Sequence, residues 1–150
     1  MNFSELKGLY SKLGGDFKEF KKLSAKIDVG FKFGYSKRIG EVDVQFFGLL
    51  SGDMNPIHFS EDFAKQTKFG GRVVHGMLTT SLVSTAVAML PGIVVLLETN
   101  FRYVAPVRIG DFVTVECEIV EKEKNRYRVK VACKVAEKVV AEGWAKILIW

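Results

Sequence analysis

Hydrophobic and polar positions change period twice along this chain. From residue 3 to 23 the apolar positions Phe3, Leu6, Leu9, Tyr10, Leu13, Phe17, Phe20 and Leu23 recur at roughly helical spacing among lysines. That spacing predicts amphipathic helix, interrupted at Gly14–Gly15, so one or two short helices packed on a main body. FKFGYSKRI (31–39) reads as a strand that Gly34 bends, and EVDVQFFGLL (41–50) as a helix ending near Gly52. SEDFAKQT (60–67) reads as a short helix with Ser60 as N-cap and Phe63 as its apolar contact, and a glycine-rich turn follows at 68–72.

Beyond that turn the pattern loses its polar phase. HGMLTTSLVSTAVAML (75–90) is small or apolar around its whole circumference, the composition of a helix enclosed on every side. Residues 73–97 contain no Asp, Glu, Lys or Arg and have the length of a membrane span. Pro91–Gly92 breaks the run and Thr79, Thr80, Ser81, Ser84 and Thr85 dilute it, so a buried soluble helix followed by a core strand fits better. After Gly92 the period becomes two. IVVLLETNFRYV, DFVTVECEIVE, RYRVKVACKVA and KVVAEGWAKILIW predict four strands, with turns at Pro106–Gly110, Lys124–Asn125 and Glu137–Lys138. Val113, Val115, Cys117 and Ile119 share one face of their strand, as do Val129, Val131, Cys133 and Val135 of the next, which predicts antiparallel sheet with one face on a core. The layout is an α+β domain, an antiparallel sheet wrapped around one long central helix.

Composition narrows the partners more than the fold. A chain of 150 residues, 48% hydrophobic and 26% charged, suits one soluble domain. The net charge of +5 is scattered, and runs such as Glu121–Lys122–Glu123–Lys124 mix signs, so nucleic acid is not an expected partner. A modest basic excess suits an anionic, phosphate-bearing ligand instead. The lysines of the first helix leave a membrane-surface role as a minor alternative; the leading expectation is no membrane contact. MNFSELKGLYSKLGGDF carries early charge and no long apolar run, so no secretory signal is expected and the cytoplasm is the expected compartment. Cys117 and Cys133 lie on apolar strand phases without a CxxC or a nearby histidine, which reads as buried free thiols. If their strands form a hairpin, the thiols become cross-strand neighbours and a disulfide stays open.

The chemistry concentrates in SGDMNPIH (51–58) and GGRVVHGM (70–77), which hold both histidines of the chain, His58 and His75. A turn needs Gly, Asn or Pro, but it does not need an acid and an imidazole five residues apart. A loop held by Gly52, Asn55 and Pro56 can aim the Asp53 carboxylate and the His58 imidazole at one point, the requirement of a two-group proton-transfer site holding a water. GGRVVHGM ends at the start of the apolar helix. The first amides of a helix lack internal partners, so the Gly76 N–H can bond a carbonyl oxygen that gains negative charge, with no Cβ to block the ligand. His75 on its own reads as a capping or packing residue, and Ser84 as a hydroxyl bonded to the carbonyl four residues back. Asp53, His58 and His75 have no metal-ligand spacing, so no metal is expected.

The stretch FGLLSGDMNPIHFSEDFA (47–64), through Phe47, Leu50, Ser51, Gly52, Asp53, Asn55, Pro56, Ile57, His58 and Ala64, resembles the signature of the MaoC-like, (R)-specific enoyl-CoA hydratases. FGGRVVHGMLTTSLVS and NFRYVAPVRIGD (100–111) are similar to the same family, over residues 31 to 150. The resemblance implies a hot-dog fold around a helix at 76–90 and dimers joined sheet edge to sheet edge, with the active site near the interface. It implies that Asp53 and His58 activate water for addition to a trans-2-enoyl thioester, giving an (R)-3-hydroxyacyl thioester, and that the Gly76 N–H polarises the thioester carbonyl. It places Asn55 as the residue holding the loop and Ser84 as a support bonded to Asp53. The thioester carrier would be coenzyme A or the phosphopantetheine of an acyl carrier protein, with Arg72 and the basic run 125–130 as its steering charges and no further cofactor. The acyl-carrier-protein dehydratase, a hot-dog thioesterase and a non-catalytic thioester-binding subunit are the alternatives, in that order. Residues 1–30 form a helical extension outside the resemblance, free to cover a sheet face, lengthen a dimer interface or narrow the acyl pocket.

Overall fold

A computed structural model describes all residues, 1–150. The period-two segments form strands β1 (Lys32–Arg38), β2 (Val94–Tyr103), β3 (Phe112–Glu123), β4 (Arg126–Val135) and β5 (Lys138–Ile149). They make one sheet in the order β1-β3-β4-β5-β2, antiparallel at every pairing. The helices are α1 (Phe3–Lys12), α2 (Glu41–Ser51), α3 (Pro56–Phe59), α4 (Glu61–Lys65) and α5 (Gly76–Ala88). The sheet wraps α5, so the expected hot-dog arrangement is the one observed.

The alternation decides which face is wrapped. Val113, Val115, Cys117 and Ile119 of β3, Val129, Val131 and Cys133 of β4, and Ala141, Ala145 and Ile147 of β5 are buried against Leu82, Val83, Ala86 and Val87 of α5. Val135, placed with them by its phase, is only half-buried, because it is the last residue before the β4–β5 turn. That turn falls at Ala136–Glu137, one residue earlier than the sequence suggests, with Ala136 at φ +51°. Lys124 takes the same left-handed conformation, φ +54°, in the β3–β4 turn. Cys117 pairs opposite Val131 and Cys133 opposite Val115, so the thiols are diagonal neighbours. Both are free, and burial pushes them up to about 12 and about 11.

One sequence expectation needs correction and another is narrowed. In α4 the buried residue is Ala64, while Phe63 is exposed, because so short a helix turns only one position inward. In the amino-terminal region only α1 forms, capped by a reciprocal pair in which Asn2 and Glu5 bond each other's amides. The helix does not resume after Gly14–Gly15; residues 15–31 run as a strap without regular structure. The strap is held by side chains: the Asp16 carboxylate accepts from the Arg38 amide, Lys18 donates to the Ser36 carbonyl, and Lys22 donates to the carbonyls of Ala88, Leu90 and Gly92. It therefore covers the free edge of β1 and the carboxyl end of α5, where an ammonium group faces the negative end of the helix. α1 is anchored through Tyr10, which stacks on Phe46 of α2 and donates to Asp43.

Candidate functional site

The loop between α2 and α3 is built almost entirely from its own polar atoms. Gly52 ends α2 in the left-handed conformation, φ +80°. The Asp53 amide donates to Ser51 Oγ at 3.2 Å, and the Asn55 amide donates to Asp53 Oδ1 at 3.1 Å. Asn55 then caps α3 by accepting from the Ile57 amide, and Pro56 opens that helix, where no amide is needed. His58 thus sits on one helical turn rather than in a loop, with the Asn55 side chain bonded at its start. Asp53 stays exposed and His58 is half-buried.

The imidazoles are fixed by backbone carbonyls. His58 Nδ1 lies 2.8 Å from the Val73 oxygen, and His75 Nε2 lies 3.0 Å from the Asp53 oxygen. A carbonyl only accepts, so each of those nitrogens carries the ring proton. His58 Nε2 is then the lone-pair nitrogen of the neutral ring. The rings stack with centroids 3.8 Å apart, and Phe47 and Phe59 pack on His75 at 4.8 and 5.7 Å. Gly48 makes room for this, since a Cβ there would meet Phe59 Cζ at 2.5 Å. His75 is 2% exposed, and burial pulls its pKa below the usual histidine value, partly opposed by the bond to the Asp53 carbonyl. Its Nδ1 has no partner.

Ligand atoms of Asp53, His58 and His75 lie within 4.8 Å of one another, a proximity their spacing in sequence does not suggest. The donor set fits a cation poorly. Two of the four ring nitrogens, His58 Nδ1 and His75 Nε2, already donate to backbone carbonyls, which leaves one lone pair per ring. The arrangement suits proton transfer better.

Gly76 opens α5, and its amide donates to no group in the chain. The space its missing Cβ leaves is filled by protein, not by a ligand: a Cβ would lie 2.9 Å from the Tyr103 ring. The Tyr103 hydroxyl in turn bonds Thr80 Oγ1 at 3.0 Å, pinning the end of β2 to the first turns of α5. His58, Gly76 and Tyr103 border a cavity of about 420 Å³ whose further walls include Val74, Thr79, Val107 and Val140. That size and lining suit a small acyl group. A larger depression, about 860 Å³, lies among Lys32, Glu116, Lys134 and Glu142, with none of these site residues in it.

Three expected roles change. Arg72 is not free to meet an anion: Nε donates to the His58 carbonyl at 2.7 Å and the guanidinium pairs with Glu41 at 2.8 Å, so it braces the His58 turn. The run 125–130 pairs with residues 144–149 of β5, whereas the cavity touches Val140, so these charges sit at the opposite end of the sheet. Ser84 is exposed on α5, and its hydroxyl bonds neither Asp53 nor the Thr80 carbonyl within this chain. The cation that does border the cavity is Lys68, exposed and without an acidic partner. Lys68 and His75 are the residues that sequence reasoning passed over. KFGGR looks like turn punctuation, and one histidine before a helix looks like a cap.

The molecule is a hot-dog fold with an acid–imidazole cluster at the amino end of its enclosed helix. The chain belongs to the MaoC-like domain family, whose model matches residues 22–141. A 3-hydroxybutyryl-CoA dehydratase of Methylorubrum extorquens is 41% identical over 82% of this chain and 81% of its own length. An (R)-specific enoyl-CoA hydratase of Rhodospirillum rubrum is 38% identical over 76% and 82%. A crystal structure from Archaeoglobus fulgidus, 60% identical, superposes with a TM-score of 0.97 over 98% of this chain and 94% of that one, so its likeness extends into the strap.

Proposed function

We propose that this protein is an (R)-specific enoyl-CoA hydratase, adding water reversibly to trans-2-enoyl thioesters to give (R)-3-hydroxyacyl thioesters. One observation carries the reading: the Asp53 carboxylate comes together with the His58 imidazole, and His58 and Gly76, whose helix amide is unpartnered, border an acyl-sized cavity. A water held between Asp53 and His58 Nε2 attacks the β-carbon and gives its proton to the pair. The electron pair of the double bond moves toward the thioester carbonyl, whose oxygen accepts from the Gly76 N–H. The proton returns at the α-carbon, so the site ends as it began and no metal or cofactor is consumed. Lys68 replaces Arg72 as the charge that meets the phosphates of the coenzyme A or acyl-carrier arm. A cytoplasmic protein with this chemistry would draw its substrate from other acyl-thioester enzymes.

A second copy completes the assembly. β2 is an uncovered edge, and Ile93, Leu96, Leu97, Tyr103 and Val104 along it are exposed, as are Met77 on α5 and Leu49 and Leu50 on α2. Two such edges pair antiparallel and bury these side chains next to the Asp53 loop.

The test is loss of the enoyl-thioester absorbance with crotonyl-CoA, followed by chiral analysis of the product. The reading requires (R)-3-hydroxybutyryl-CoA. Release of free thiol in place of hydration would make the protein a thioesterase, and binding of short, long and carrier-linked enoyl thioesters without turnover would make it a non-catalytic subunit. Lys68→Glu should raise KM for the coenzyme A thioester severalfold, about 1 kcal/mol or less of lost attraction at an exposed site, with kcat unchanged. An unaltered KM would remove Lys68 from the carrier path.

A further inference from the structure

His75 belongs to neither half of the Asp53–His58 pair, yet it touches both. Its Nε2–H is the only hydrogen bond that reaches Asp53 from outside residues 51–55. Its ring lies flat on His58, 3.8 Å between centroids. It also immediately precedes Gly76, which lines the cavity and opens α5. A histidine is costly here, because Nδ1 is buried with no donor. Phenylalanine would stack on His58 without that orphan atom, and leucine would fill the volume. What a purely apolar residue cannot supply is the donor that ties the Asp53 peptide to the end of α5.

We propose that His75 is a positioning residue for the hydration reaction: its Nε2–H fixes the Asp53 main chain, its ring fixes the plane of His58, and it ties both to the helix end that receives the thioester carbonyl. The proposal rests on the hydratase reading. It explains why a loop whose other bonds are all local keeps one register against α5. It also assigns the unsatisfied Nδ1 as the cost of holding that register rather than as a ligand.

Two variants separate the donor from the ring. His75→Phe keeps a flat ring and removes the donor; His75→Gln keeps an N–H at similar reach and removes the ring. His75→Phe should lower kcat by about 10- to 100-fold, as displaced catalytic groups do, with little change in KM, and His75→Gln should recover part of the loss. In an Asp53→Asn background the His75→Phe loss should largely vanish, since groups acting as a unit are not additive. An active wild type with an undiminished His75→Phe variant overturns the proposal, as does a loss that persists in full on Asp53→Asn. A wild type inactive on every enoyl thioester strikes the hydratase reading instead. In that case, or if His75→Phe does not fold, two-bond proton–nitrogen spectra of the wild-type protein decide whether His75 holds its position. The proposal requires the neutral Nε2–H form, and an Nδ1–H form overturns it.

Discussion

At the scale of single residues, the site depends on which nitrogen carries a proton. Both imidazoles give theirs to a carbonyl, so His58 offers a lone pair at Nε2 and Asp53 offers an oxygen, Oδ2, without a partner in the chain. Asp53→Asn or His58→Gln should leave the fold intact and lower turnover at least ~10²-fold, the contribution expected of an acid–base group; wild-type rates in both would remove the pair from the mechanism. The buried His75 adds a stability signature. Burial lowers its folded-state pKa below the ordinary value of 6.5, so the unfolded chain binds a proton that the folded chain refuses. Stability from this group is therefore complete above that value and declines as pH falls below it. A melting series from pH 8 to 5 should show Tm dropping through this window in the wild type and dropping less in His75→Gln. Equal slopes would mean that His75 protonates without strain. The Asp53–His58 pair was legible in the sequence as a motif, but the part played by His75 was not: alone it reads as a capping or packing residue, and its value comes from contacts with Phe47, Phe59 and His58 made only after folding.

At the scale of elements, the sequence was most legible where period alone decides. The strands of the second half and the enclosed helix stand within a few residues of their expected limits, since alternation fixes which side of β3, β4 and β5 is buried. The first 31 residues were least legible. Their apolar positions follow a helical period beyond Gly15, but those side chains find no helix-shaped groove, and Asp16, Lys18 and Lys22 spend their polar atoms on the β1 edge and the α5 carbonyls instead. Arg72 was misread for a related reason: a cation near a motif looks available until its partners, here Glu41 and the His58 carbonyl, are known. Gly48 shows how an element shapes the site. Gly→Ala inside a helix gains about 1 kcal/mol from propensity. At Gly48 the new methyl would press on Phe59 Cζ and Met54 Sδ, at 2.5 and 3.0 Å, and overpacking costs typically 1–3 kcal/mol. The ring is penned by His75 and His58, so the clash should win: Gly48→Ala should lower Tm and also lower kcat. A raised Tm would mean that Phe59 moves away freely.

At the scale of the whole molecule, the two edges of the sheet are treated in opposite ways. The β1 edge is met by the strap, whose Asp16 and Lys18 side chains satisfy the Arg38 amide and the Ser36 carbonyl without forming a strand, which blocks further pairing at that end of β1. The β2 edge is left open and apolar, a hazard unless a partner covers it. One blocked edge and one open edge allow a closed pair of sheets but not an open-ended stack, which is a physical reason for the strap to exist. Part of α5 and the Asp53 loop are exposed in a single copy, so solvent would reach the reacting water freely there. Leu97 sits at the bulge in the β2–β5 pairing with 44% of its surface exposed, so a charge there costs the single copy little. Leu97→Lys should therefore leave the circular dichroism of the fold unchanged while halving the mass measured by light scattering. Turnover should fall with it, in proportion to the fraction of single copies, and recover at protein concentrations that restore pairing. A variant that loses mass but keeps full activity would show that each copy's site is complete by itself, and one that keeps its mass would move the interface away from β2.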